Sequence, residues 1–181
     1  MRDESVTREE LHFRRIDMRG WRRSDGLFEV EGRVTDHKPK DYVPWRGGKR
    51  VAVGDPIHDM GVRLVFDAEL RVQGVQTITE SAPYTQCPEG GAALQSLIGL
   101  RMTSGWGKEV RSRLGGARSC THLMELLIPM ATVAHQSLSE QIRSGPERVD
   151  ATGRPFKINS CYAYGDEREL VKVYWPEFHR K

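Results

Sequence analysis

The sequence predicts an α+β domain in which helices pack on one face of a mainly antiparallel sheet. Apolar residues alternate in several short runs that are separated by turn residues, a pattern typical of strands with one buried face. Residues 121–143 instead carry an apolar stripe at helical spacing, which predicts one dominant helix. A chain of 181 residues can bury a core without disulfides. We therefore expect a single domain over residues 11–181, preceded by a flexible polar segment at residues 1–10.

The first predicted element is a β-hairpin. The alternating apolar residues change parity between residues 11–13 and 16–18, which predicts a β-bulge near residues 14–15. Ser-Asp-Gly at residues 24–26 supplies the turn, because glycine adopts positive φ without a steric penalty. Residues 28–34 then place their apolar side chains on one face of the return strand.

A second pair of strands follows a long loop. Residues 36–55 are rich in Pro, Gly and Lys, and loops of this length in compact domains are often functional. Met60, Val62, Leu64 and Phe66 occupy alternate positions, which predicts a strand over residues 60–66. A returning strand is expected beside it at residues 70–79.

The second half of the predicted domain is helical. A short helix is expected at residues 89–98, directly after Cys87 and Pro88. A further helix is expected at Trp106–Leu114, where two glycines end it. Ser119 or Thr121 is expected to cap the long helix at residues 121–143, and Pro129 to kink it. The final predicted element is a C-terminal strand at Glu169–Tyr174.

Composition narrows the classes of function. The formal net charge is only +3, and no nucleic-acid motif or aromatic ladder occurs, so we expect no nucleic-acid partner. The N-terminal arginines form either a solvated strand face or a contact for an anionic ligand: Arg14, Arg15, Arg19, Arg22 and Arg23. No apolar run reaches the length of a membrane span, and the N-terminus lacks a secretory signal, so no membrane partner is expected. Three cysteines, an odd number, then indicate free thiols and a cytoplasmic location.

Four residues are candidate metal ligands because each lies where a loop enters a strand or a helix: His58, Cys87, Cys120 and His122. Helix N-termini favour thiolate over thiol, and both metal binding and nucleophilic attack require a thiolate. Histidine and thiolate together suit zinc or iron. Asp59 and Glu125 lie close in sequence to these residues and are candidate catalytic groups for proton transfer.

Other interpretations of these residues stay open. Cysteine is often a buried, inert apolar residue, and Glu125 also fits a solvated helix face. The chain has no Gly-x-Ser-x-Gly elbow, no phosphate-binding loop and no dinucleotide fingerprint. Several common enzyme classes are thereby excluded, but the reaction, the substrate and the oligomeric state are not specified.

Several motifs resemble a bacterial family known as domain of unknown function 2889. The most specific are RRSDGL at 22–27, GDPIHDM at 54–60, PYTQCP at 83–88, GGARSCTHL at 115–123, CYA at 161–163 and WP at 175–176. The resemblance runs from about residue 11 to residue 178. The resemblance implies a bacterial protein, but it does not imply any activity.

A more distant resemblance links residues 55–134 to the iron–sulfur cluster scaffold family. The order of strands, cysteines and helices is similar, which implies a scaffold-like core extended by the N-terminal hairpin and the C-terminal strand. His58 aligns with the first cysteine of the scaffold proteins. Their final His-Cys pair, at the start of the last helix, aligns with Cys120-x-His122. Because two thiolates remain where the scaffold uses three, zinc or iron is favoured over an iron–sulfur cluster.

Two functional hypotheses follow from these residues and resemblances. In the first, the four candidate ligands bind a zinc or iron ion. The protein is then either a metal-dependent enzyme that acts on a small molecule or a protein that handles metals or iron–sulfur clusters. In the second, the protein is metal-free, and it is either a small-molecule or partner-binding module or a thiol enzyme that uses Cys120.

Overall fold

A computed structural model describes residues 5–180 of the chain. The chain divides into two compact units, with the boundary between Leu138 and Ser139. Residues 1–4 of the predicted flexible segment lie outside the described residues, and residues 5–10 form neither helix nor strand.

The first unit contains a four-stranded sheet, and the predicted α+β class is confirmed. Its strands are β1 (Phe13–Arg22), β2 (Phe28–His37), β3 (His58–Phe66) and β4 (Val72–Ser81). They lie in the order β1-β2-β3-β4, and each neighbouring pair is antiparallel. Sequence neighbours are therefore spatial neighbours, joined by loops of different length.

The register of the first hairpin corrects one prediction. Pairing continues without interruption from Phe13 opposite His37 to Arg22 opposite Phe28, so the β-bulge predicted near residues 14–15 is wrong. β1 is an edge strand that is almost entirely exposed, and its apolar residues are therefore not forced onto one parity. The predicted turn is confirmed, with Gly26 at a φ of 84°.

The two faces of the sheet differ in chemistry. The inner face is apolar and includes Val30, Val34, Met60, Val62 and Leu64, all nearly inaccessible to solvent. The outer face carries ion pairs such as Arg63 with Glu31 and Arg33 with Asp59. This division follows the alternation of side chains along each strand and leaves one face for the helices.

The helices of the first unit cover the inner face. A 3-10 helix, Cys87–Leu97, forms where the short helix is predicted at residues 89–98, and it packs on β4. It is followed by α1 (Trp106–Leu114), as predicted, and by α2 (Thr121–Ser137). α2 packs on β1, β2 and β3. Its buried stripe consists of Leu123, Leu126, Leu127, Met130 and Ala134.

Both ends of the long helix differ from the prediction. Neither Ser119 nor Thr121 caps it, because Cys120 occupies the N-cap position and the Ser119 hydroxyl donates instead to the Leu114 carbonyl, at 2.8 Å. The helix does not run through to residue 143. Leu138 leaves helical geometry, and its N–H bonds to the carbonyl of His135, three residues earlier.

The second unit, which starts at Ser139, is built from short helices and turns. It contains α3 (Ser139–Ser144) and α4 (Glu169–Tyr174). The strand predicted at Glu169–Tyr174 is therefore wrong, and six residues are too few to separate helical from strand periodicity. None of the described helices combines the length and apolar character needed to cross a bilayer.

Candidate metal centre

Three strands bring polar residues together at one end of the inner face. Asp36 lies opposite Arg14 in the β1–β2 ladder and opposite His58 in the β2–β3 ladder. Directly paired residues share a face of a sheet, and Asp36 continues the inward parity of Val34. The carboxylate is therefore directed into the protein rather than toward solvent.

Asp36 is the most buried member of this group, with 1% of its surface exposed. The Arg14 guanidinium donates to both carboxylate oxygens, from Nε to Oδ1 at 2.8 Å and from Nη2 to Oδ2 at 2.9 Å. His12 Nε2 lies 2.9 Å from Oδ1, and His58 Nδ1 lies 3.0 Å from Oδ2. Burial alone would raise the pKa of Asp36, but the hydrogen bond and charge of Arg14, with His12 and His58, lower it to about 2.

His122 joins the group from the first turn of α2. Its ring centroid is 3.8 Å from that of His58, and its Nε2 is 3.9 Å from Asp36 Oδ2. Asp36, His58 and His122 can each direct one ligand atom so that all three atoms lie within 4.8 Å of one another. We refer to these three residues as the Asp-His-His cluster.

The electrostatics of the cluster favour neutral His58. Burial and the neighbouring His122 lower its pKa, while the Asp36 carboxylate opposes that shift. Neutral imidazole is the form that binds a metal ion. His58 is thus available as a ligand near neutral pH.

Cys120 lies beside the cluster. Its Sγ is 3.9 Å from His122 Nδ1 and 4.0 Å from Met60 Sδ. Burial would raise the thiol pKa, but His122 and the backbone N–H groups at the start of α2 outweigh it, so the pKa is lowered. Gly90 packs against this residue so closely that an added Cβ would lie 2.7 Å from the Cys120 amide nitrogen.

Cys87 shares a cavity with the other predicted ligands. A cavity of about 680 Å³ is lined by His58, Cys87, Cys120 and His122, among others. Within residues 5–180, no hydrogen bond or ion pair joins the Cys87 side chain to the other three. Cys87 therefore lines the approach to the cluster and is not part of the Asp-His-His group.

The two predicted proton-transfer residues occupy different environments. Asp59 has the opposite parity to His58, and its carboxylate accepts a hydrogen bond from Arg33 Nη2 at 2.8 Å on the outer face. Glu125 is exposed one turn further along α2 and accepts a hydrogen bond from Arg14 Nη1 at 3.1 Å. Glu125 thus contacts the cluster through Arg14, whereas Asp59 is turned away from it.

Asp36 is not among the site residues predicted from the sequence. The composition of residues 36–55 predicts a loop that begins at Asp36, although Asp36 continues the inward parity of Phe28, Val30 and Val34. A carboxylate at an inward position requires a partner, because an unpaired buried charge is very costly. The signal for Asp36 in the sequence is therefore its parity with the apolar residues of β2.

Comparison with known proteins yields one match. A family model described as a protein of unknown function (DUF2889) matches residues 12–136, which span the sheet and almost all of α2. No curated protein and no solved structure matches the chain. The resemblance to iron–sulfur cluster scaffolds therefore stays a prediction.

Proposed function

The chain belongs to the DUF2889 family, and we propose that it binds a divalent zinc or iron ion through Asp36, His58 and His122. The observation that carries this proposal is the convergence of one carboxylate and two imidazoles within 4.8 Å at the end of an apolar sheet face. Two histidines and a carboxylate form the ligand set of several catalytic zinc sites and of non-haem iron sites.

The spacing of the donors fits an ion of this size. Metal–ligand distances of about 2.0–2.1 Å place tetrahedral ligand atoms about 3.3–3.4 Å apart. Asp36 Oδ2 lies 3.0 Å from His58 Nδ1 and 3.9 Å from His122 Nε2, so these separations bracket the required value.

Arg14 competes with the ion for Asp36. Its guanidinium donates to both carboxylate oxygens, and its positive charge opposes a second cation at the same place. Glu125 also accepts a hydrogen bond from Arg14, which gives the guanidinium a second anchor when it releases Oδ2. The proposed site therefore has moderate affinity for the metal ion. A small displacement of Arg14 frees the Asp36 carboxylate to bind that ion.

Three protein ligands leave at least one coordination position for water or substrate. The cavity beside His58 and His122 gives a small molecule access to that position. An ion bound there would supply Lewis-acid chemistry. Cys120, with its lowered pKa, stands next to His122 and can orient that imidazole through Nδ1.

The test is metal binding by purified protein stripped with a chelator. We expect stoichiometric zinc or ferrous iron in calorimetric titration, and at least about a hundredfold loss of affinity for His58→Gln and His122→Gln, because each removes a direct ligand. Asp59→Asn is the matched control, because that carboxylate is adjacent in sequence but lies on the other face of the sheet. Wild-type affinity in both histidine variants would refute the proposed ligands.

A thiol enzyme that uses Cys120 is the second candidate, and one arrangement favours it. His122 lies between Cys120 and Asp36, with its Nδ1 3.9 Å from Sγ and its Nε2 3.9 Å from Oδ2. A cysteine whose thiolate is stabilised by histidine is a nucleophile. In this case His122→Gln should slow alkylation of Cys120 by iodoacetamide in metal-free protein, while the exposed Cys161 keeps its rate.

A further inference from the structure

A second cavity adjoins the one at the Asp-His-His cluster. It has a volume of about 440 Å³, and its wall includes Arg46, Lys49 and Glu80. Pro83, Tyr84 and Gln86 line both cavities. The two cavities therefore share one wall, which lies between the cluster and the loop that precedes β3.

Two cations at this second cavity have no carboxylate partner. Within residues 5–180, neither Arg46 nor Lys49 forms an ion pair, whereas the neighbouring Arg50 binds Asp41 at 2.7 Å. The Arg46 guanidinium lies over the Trp45 ring, 4.6 Å from its centroid. Glu80 is the one acidic residue in the described wall, and its charge also acts on Arg33. The wall thus has an excess of positive charge available to a ligand.

The loop that carries these cations is anchored at the shared wall. The Lys49 amide donates to the Pro83 carbonyl at 3.1 Å, and the Tyr84 hydroxyl donates to the Trp45 carbonyl at 3.1 Å. Gly48 packs so tightly that an added Cβ would overlap the Pro44 ring and lie 2.9 Å from the Pro83 carbonyl oxygen. Arg46 and Lys49 are therefore held next to the wall that the two cavities share.

We propose that this second cavity binds the anionic group, a phosphate or a carboxylate, of a small organic substrate whose other end reaches the Asp-His-His cluster. Arg46 supplies planar paired donors and Lys49 a point charge, which is the usual combination for such groups. Each of the two cavities, about 440 Å³ and about 680 Å³, is in the size range of small-molecule sites. The inference rests on the proposed function, because the cluster is taken as the reacting end of the substrate.

The test is an NMR titration of metal-free protein with two probes, inorganic phosphate and succinate, in separate experiments at low ionic strength. Binding should shift the amide signals of residues 46–49 and 83–86, and the better probe identifies the class of anion. Arg46→Gln combined with Lys49→Gln should weaken binding at least about tenfold, because both charge-assisted contacts are removed. Arg50→Gln is the matched control and should keep wild-type affinity, because that side chain is already paired with Asp41.

Two further variants separate this inference from the metal proposal. Asp36→Asn should abolish metal binding and leave anion binding intact. The two proposals can therefore be refuted independently of each other. Gly48→Ala keeps both cations but displaces the loop from Pro83, and it should weaken anion binding without changing net charge. Unchanged anion affinity in the Arg46/Lys49 double variant, or no shift at residues 46–49 with either probe, would overturn the assignment.

Discussion

Replacing Asp36 with asparagine tests how much the buried carboxylate stabilises the fold, independently of any metal. The native carboxylate is 1% exposed and makes four close contacts with Arg14, His12 and His58. Its pKa of about 2 lies below the value of about 3.9 for an unperturbed aspartate. At 1.36 kcal/mol for each pKa unit, ionised Asp36 contributes about 2.5 kcal/mol to the free energy of unfolding at neutral pH.

The sign of the pH dependence follows from the lowered pKa. Because the folded state holds this proton less tightly than the unfolded state, the contribution is complete above the unfolded pKa and is lost as pH falls through about 2. The asparagine side chain of the variant carries no charge at any pH. The stability difference between the native protein and Asp36→Asn should therefore be about 2–3 kcal/mol at pH 7 and roughly half of that near pH 3.

Urea denaturation of metal-free protein at both pH values measures this difference. Asp59→Asn is the control, because it removes an aspartate whose partner Arg33 is largely solvated, and it should cost less than about 1 kcal/mol. The reasoning is refuted if Asp36→Asn unfolds with the native free energy at pH 7, or if its deficit is the same at pH 3 as at pH 7.

Three more variants test separate parts of the structure. Arg14→Gln removes the cation that competes for Asp36, so calorimetry should show metal binding at least about fivefold tighter, since each unit charge at close range is worth about 1 kcal/mol even in water; weaker binding would contradict the competition. Gly90→Ala places a methyl group against the Cys120 amide and should lower unfolding stability by about 1–3 kcal/mol in urea. Trp106→Phe removes the buried hydrogen bond of 2.8 Å to the Leu127 carbonyl, and a loss of about 1–2 kcal/mol in the same assay is expected.

The elements predicted correctly from the sequence are those whose pattern is imposed by a core on one side. β3 alternates because Met60, Val62 and Leu64 are all buried, and α1 runs over the predicted residues, with Val110 and Leu114 buried on one of its faces. β1 has no such constraint. Its apolar residues are exposed, and their spacing therefore carried no information about a bulge.

The composition of the cluster depends on pairing between strands, which the sequence does not state. His58 and Asp36 are 22 positions apart, and the register of β2 against β3 makes them direct neighbours. His122 arrives only when α2 packs across the sheet. Both histidines stand at element boundaries, which marks them as candidate ligands in the sequence, whereas Asp36 lies at the start of a segment whose composition predicts a loop.

The exposed position of β1 affects how copies of the protein meet in solution. Along residues 5–180 the sheet ends at this strand, and the alternate residues of its outer edge whose N–H and C=O groups point away from β2 can hydrogen-bond to another extended chain. Phe13, Ile16 and Trp21 are exposed there, which would favour aggregation through sheet extension. The charged residues Arg15, Asp17 and Arg19 lie among them, and charged side chains on an edge strand disfavour sheet extension. Neutral substitutions at these three positions should lower the solubility of the protein more than they lower its free energy of unfolding.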